Sequence, residues 1–111
     1  MILTLRILFT IILLSMLAVT FWASSQVALW KLPHQIATHP WFIASLFDAY
    51  FGFITFYCWL FYKETKPATR ILWFIAILLL GNIAMATYIL RLTFALPLNA
   101  SPADLLLRRN P

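Results

Sequence analysis

The sequence predicts an all-α integral membrane protein, a single membrane domain over residues 1–111 with three transmembrane helices and a short C-terminal interfacial helix. Three observations predict it. Hydrophobic residues make up 64% of the chain and charged residues 10%, against roughly 25% charged in a soluble domain, too few to keep a folded surface wet. The apolar residues gather in three stretches, about 7–23, 41–62 and 71–94, each near the ~20 residues of helix that cross a bilayer. All six prolines lie outside these stretches, where a missing N–H breaks no helical hydrogen bond. Strand-like alternation is absent, which leaves helices as the way to bury backbone in lipid.

The first stretch follows Arg6. A signal peptide is the competing reading: Arg6 would be its basic region, 7–20 its apolar core and Ala23-Ser24-Ser25 its small-residue site. The apolar run outlasts a usual signal core, and Phe21-Trp22 crowd the cleavage site, so a retained helix is expected. It can run on through Ala28-Leu29-Trp30 to Pro33. Pro33 and Pro40 bracket the first connection, and Pro67 marks the compact turn 63–70. The second and third stretches then form an antiparallel hairpin, with Pro97 ending the third. In the tail 97–111, Ser101 is a good N-cap, Pro102 suits the first helical position and Asp104 sits at the capping-box position. Leu105–Leu107 and Arg108-Arg109 make that helix amphipathic, which suits a membrane surface.

The net charge of +5 is spread over Arg6, Lys31, Lys63, Lys66, Arg70, Arg91, Arg108 and Arg109. No dense basic patch exists, so nucleic acid is not an expected partner; the lipid bilayer is. Lys63, Lys66 and Arg70 abut two apolar stretches, and the positive-inside rule puts their turn in the cytoplasm. The N-terminus with Arg6 follows it inside, while Lys31, Arg91 and Arg108-Arg109 fall outside, a four-to-four tie broken by the turn. The expected location is the plasma (inner) membrane, multi-pass. Trp22, Trp30 and Trp41 would form an outer aromatic belt, and Trp59, Tyr62 and Trp73 an inner one. Cys58 is the lone cysteine, so no intramolecular disulfide forms and it reads as a packing residue. His34 and His39 lack further ligands nearby, and Glu64 beside Lys63 and Lys66 reads as an exposed, neutralised charge. No catalytic set, metal site or cofactor motif is expected.

Asp48 is the residue that apolar packing does not explain. It follows Trp41 by seven residues, about 10 Å along a helix, and so lies below the headgroups. On a helical wheel it shares a face with Ser45, Gly52 and Thr55, flanked by Trp41, Trp59 and Tyr62. That small and polar face should turn toward protein, and the Phe/Leu/Ile face toward lipid. In an antiparallel hairpin Asp48 is level with about residue 85. Asn82 and Tyr88 are then within a turn of it, with Arg91 about 9 Å further out. Gly81 lies on the face expected to pack.

The pattern Trp41…Asp48-Ala49-Tyr50, Tyr62-Lys63-Glu64, Leu80-Gly81-Asn82-Ile83-Ala84 and Tyr88-Ile89 resembles the small integral-membrane proteins of domain-of-unknown-function family 1475, over about two thirds of the chain. Asp48, Tyr50, Glu64 and Gly81 match that pattern; Asn82 stands where other members carry a different small polar residue. The resemblance implies a small multi-span membrane protein and no activity. The candidate intramembrane polar site is therefore Asp48, Tyr50, Asn82, Tyr88 and Arg91, with Ser45, Gly52, Thr55 and Gly81 as helix-packing positions. The leading expectation is a non-enzymatic accessory or structural component that self-associates or joins a larger membrane partner. The alternatives are an oligomeric proton or small-solute transporter using Asp48, and a membrane enzyme acting on a lipid or isoprenoid through Asp48 or Glu64.

Overall fold

The structure, a computed structural model, describes residues 2–27 and 31–107. Trp30 and the Arg108-Arg109 pair lie outside the described residues. The elements are α1 (Ile2–Gln26), α2 (His34–Ala37), α3 (Pro40–Lys63), α4 (Pro67–Leu80), α5 (Asn82–Phe94) and α6 (Pro102–Leu106). Among the described residues there is no strand.

Proline starts three of these helices: Pro40, Pro67 and Pro102 each occupy a first position, where the fixed φ suits a helix and the missing N–H would have no partner. His39 caps α3, its Nδ1 accepting from the Trp41 N–H at 3.2 Å. At α6 the Ser101 N–H donates to Asp104 Oδ2 at 3.0 Å, the carboxylate half of a capping box. The second apolar stretch matches α3 to within a residue at each end. The first is longer than expected, because α1 starts at Ile2 and takes Arg6 inside the helix. A short helix, α2, fills the 33–40 connection.

The third stretch differs from the expected single span. Gly81 stands at φ 57°, ψ −122° and divides it into α4 and α5. Only glycine adopts that conformation without strain. Its N–H donates to the Ile77 carbonyl at 2.7 Å and its carbonyl accepts from the Met85 N–H at 3.0 Å, so the break leaves the glycine's own polar groups paired. The chain doubles back: the rings of Trp73 on α4 and Tyr88 on α5 lie 5.0 Å apart, on either side of a turn that is one residue long. Helices α3 and α4 run antiparallel, with the Tyr57 and Phe74 rings 5.0 Å apart and the Tyr50 hydroxyl at the Leu78 carbonyl, and the third stretch adds a hairpin of its own, α4–α5. At 14 and 13 residues, its arms are about 21 and 20 Å long, short of the ~30 Å hydrocarbon thickness.

Helix α1 lies along α5, α5 along α4, and α4 along α3. Leu60, Ile77, Ala84, Tyr88 and Ile89 form the buried cluster, with Phe9, Phe53, Phe56 and Trp73 packed around it. This core occupies the half of the molecule that holds the 63–70 turn. In the other half, residues 17–27 of the α1 region and 43–52 of α3 are exposed throughout. Helices α1 and α3 are long and apolar enough to cross a membrane, and only 6% of the most apolar window of each is buried. The core helix of a soluble protein would be mostly covered.

Candidate functional site

Asp48 lies on the exposed surface of α3 and has no hydrogen-bond partner among the described residues. Ser45 and Thr55 on the same face donate back to their own helix, to the Trp41 carbonyl at 2.8 Å and the Phe51 carbonyl at 2.9 Å. A Cβ added to Gly52 would meet nothing within 4 Å. The expected inward turn of this face does not occur within one copy of the chain. Phe53, Phe56, Tyr57 and Leu60, spaced i, i+3, i+4, i+7, face the neighbouring helices instead. Both stripes satisfy helical periodicity, and the one with the larger side chains covers more area on packing.

The expected partners of Asp48 are elsewhere. Asn82, the first residue of α5, is exposed. Tyr50 points its hydroxyl at the Leu78 carbonyl, 3.3 Å away, and its ring meets Phe53 edge-on at 5.3 Å. Arg91 is exposed on α5, one turn beyond Tyr88, and the reversal at Gly81 brings it to the end that holds Lys63 rather than the opposite surface. Gly81 is buried against the Phe53 ring, which would lie 2.7 Å from an added Cβ; here the glycine makes a turn rather than a helix crossing.

What the fold does assemble is a polar knot at the end bearing the 63–70 turn. Tyr88 is fully buried and donates its phenolic hydrogen to Glu64 Oε1 at 2.8 Å. Its ring is boxed edge-on by Trp73 at 5.0 Å, Trp59 at 5.8 Å and Phe56 at 6.2 Å. Glu64 is half-buried, so its reading as an exposed, neutralised charge is corrected: the return of α5 places the Tyr88 phenol on it. Trp59 and Trp73, assigned to an inner belt, are half-buried in this box. Arg70 Nε donates to the Glu64 carbonyl at 2.9 Å and the Phe61 carbonyl at 3.1 Å, with its guanidinium 3.8 Å over the Phe61 ring. Tyr57 donates to the Arg70 carbonyl at 3.0 Å.

Two further attachments converge on the same end. Arg6 donates through Nη2 to the Thr93 and Leu96 carbonyls, both at 2.8 Å, and lies 4.6 Å over the Phe94 ring. Thr93 is in the last turn of α5 and Leu96 just beyond its end, where free carbonyls and the negative end of the helix dipole favour a cation. Helix α6 is docked on α3: Trp59 Nε1 donates to the Leu106 carbonyl at 2.8 Å and Lys63 Nζ to the Leu107 carbonyl at 2.7 Å, with Leu105 buried. A cavity of about 180 Å³ remains between Lys63, Leu92, Leu96, Asp104 and Leu105.

Chemically, this arrangement is a set of latches. One carboxylate accepts from one phenol, and three cations are spent on carbonyls. Among the described residues no group of three potential metal ligands comes together. Sequence reasoning missed Glu64, Arg6 and Trp59 as contact makers, because each depends on the reversal at Gly81. The signal for it was Gly81-Asn82, a turn dipeptide in an apolar run. No family model matches the chain, and no curated protein or solved structure matches it significantly.

Proposed function

We propose that this chain is a non-enzymatic structural or accessory component of a membrane, held by α1 and α3 as crossing helices and self-associating through α3. The membrane part rests on the two long apolar helices being almost wholly uncovered. One observation carries the self-association: the α3 face of Ser45, Asp48, Gly52 and Thr55 is exposed, with none of the described residues packed over it. A carboxyl group within a lipid-exposed face is costly and calls for a polar neighbour, while Gly52 lets a second backbone come close. A parallel second copy sets the Ser45, Asp48 and Thr55 side chains of the two α3 helices level with one another.

Two measurements test it. Alkaline carbonate washing should leave the protein in the membrane pellet; release into the wash removes the membrane reading. In a Cys58→Ala background, Gly52→Cys should give a disulfide-linked dimer under mild oxidation, whereas Phe74→Cys on α4 should not. Monomers alone from Gly52→Cys would remove the α3 interface.

A further inference from the structure

We propose that α4 and α5 form a re-entrant hairpin, entering and leaving the membrane at one surface, and that the cations gathered there contact the anionic phospholipid headgroups of the cytoplasmic leaflet. The inference rests on the membrane reading above and extends it to topology and to a lipid partner.

The geometry requires the two arms to share an end. Tyr88 reaches Glu64, which precedes α4. The end of α5 is bonded to Arg6, and Lys63 is bonded to the chain beyond Pro102. Residues 95–107 therefore lie beside the 63–70 turn and the start of α1, not 30 Å away across a bilayer. Neither arm is long enough to cross, and a turn within lipid calls for polar backbone at the tip to find partners, which the tip supplies at Gly81 and Leu78. Gly81 has both of its groups bonded within the helices. The Leu78 carbonyl, one of the acceptors freed where α4 stops, faces the Tyr50 hydroxyl of α3.

This fold changes the distribution of charge. With three crossings, Arg91 would sit opposite the 63–70 turn. With the hairpin, Arg6, Lys63, Lys66, Arg70 and Arg91 share one end, and among the described residues Lys31 alone stands at the other. Glu64 and Asp104 lie at the basic end as well, but acidic residues weigh little in orientation. A five-to-one bias directs that end to the cytoplasm. Lys66 and Arg91 are the exposed members, and an ammonium or guanidinium beside anionic headgroups is favoured by the surface potential of that leaflet.

Single cysteines replacing His34, Thr65 or Asn99 in a Cys58→Ala background test the topology with a membrane-impermeant thiol reagent. Position 34 should label only from outside, and positions 65 and 99 only from the cytoplasmic side. Labelling of 65 and 99 from opposite sides, in protein that still resists carbonate, overturns the hairpin and leaves the membrane reading intact. For the lipid, protein purified from vesicles of equal phosphatidylglycerol and phosphatidylcholine should retain phosphatidylglycerol preferentially. Lys66→Gln/Arg91→Gln should reduce that preference several-fold while Lys31→Gln leaves it unchanged; equal retention in all three proteins overturns the headgroup contact.

Discussion

A phenol enclosed by aromatic rings needs an acceptor, because a buried hydroxyl without one is costly, and Glu64 provides it for Tyr88 at 2.8 Å. The ring and the hydroxyl make separable contributions. Tyr88→Phe keeps the edge-on contacts with Phe56, Trp59 and Trp73 and loses one hydrogen bond. Since Glu64 is half-exposed and can turn to water, the loss should be about 1 kcal/mol. Tyr88→Ala also empties the box and should cost about 3–5 kcal/mol. Thermal unfolding in mild detergent, followed by the fluorescence of the flanking tryptophans, checks the difference. Equal losses in the two variants would mean that the ring is not packed as described. Tyr88 was visible in the sequence as a polar group at hairpin depth. Its partner was not, because Asp48 and Glu64 are both carboxylates on the second apolar stretch or its edge, and only the path of the third stretch chooses between them.

Helix boundaries were legible where a local rule sets them at α3 and α6, from proline at the first turn and the capping pair Ser101 and Asp104; at α4 the same proline rule starts the helix at Pro67, ahead of the expected 71. The division of the third stretch was not read from hydropathy, because residues 82–94, though more polar than 71–80, still carry enough apolar side chains to pass as the continuation of one span. The two glycines therefore make opposite predictions. Gly52 is helical with open space around it, so Gly52→Ala should stabilise the isolated protomer by up to about 1 kcal/mol, the usual helix-propensity gain. At Gly81 an alanine meets both a positive φ and the Phe53 ring at 2.7 Å. Backbone strain alone costs about 1–3 kcal/mol, and the ring adds to it. Phe53→Leu in the Gly81→Ala background should recover the steric part and leave the strain, which detergent unfolding of the single and double variants separates. A Gly81→Ala protein as stable as the parent would mean that α4 and α5 do not fold back at this residue.

At the scale of the whole molecule, packing is divided lengthwise. One half holds the core, the Tyr88 knot, the Arg6 latch and docked α6; in the other, residues 17–27 and 43–52 of the two long helices' regions are exposed. Asp48 belongs to the bare half, and this separates its effect on folding from its effect on assembly. A carboxylate that held the protomer together would destabilise it on removal by the few kcal/mol typical of a broken buried network. Asp48 has no hydrogen-bond partner among the described residues, so Asp48→Leu should leave protomer unfolding in detergent within about 0.5 kcal/mol of the parent. The same substitution removes the only ionisable group on the proposed α3 interface and fills it with a branched side chain, so the dimer fraction at fixed protein-to-detergent ratio should fall. Asp48→Asn keeps a side chain that can both donate and accept across a parallel pair of helices, and should retain most of that fraction. Cross-linking yield at Gly52→Cys in the two backgrounds reads the outcome. A loss of protomer stability in Asp48→Leu would place the carboxyl inside the fold after all, and unchanged cross-linking in both would move the interface away from α3.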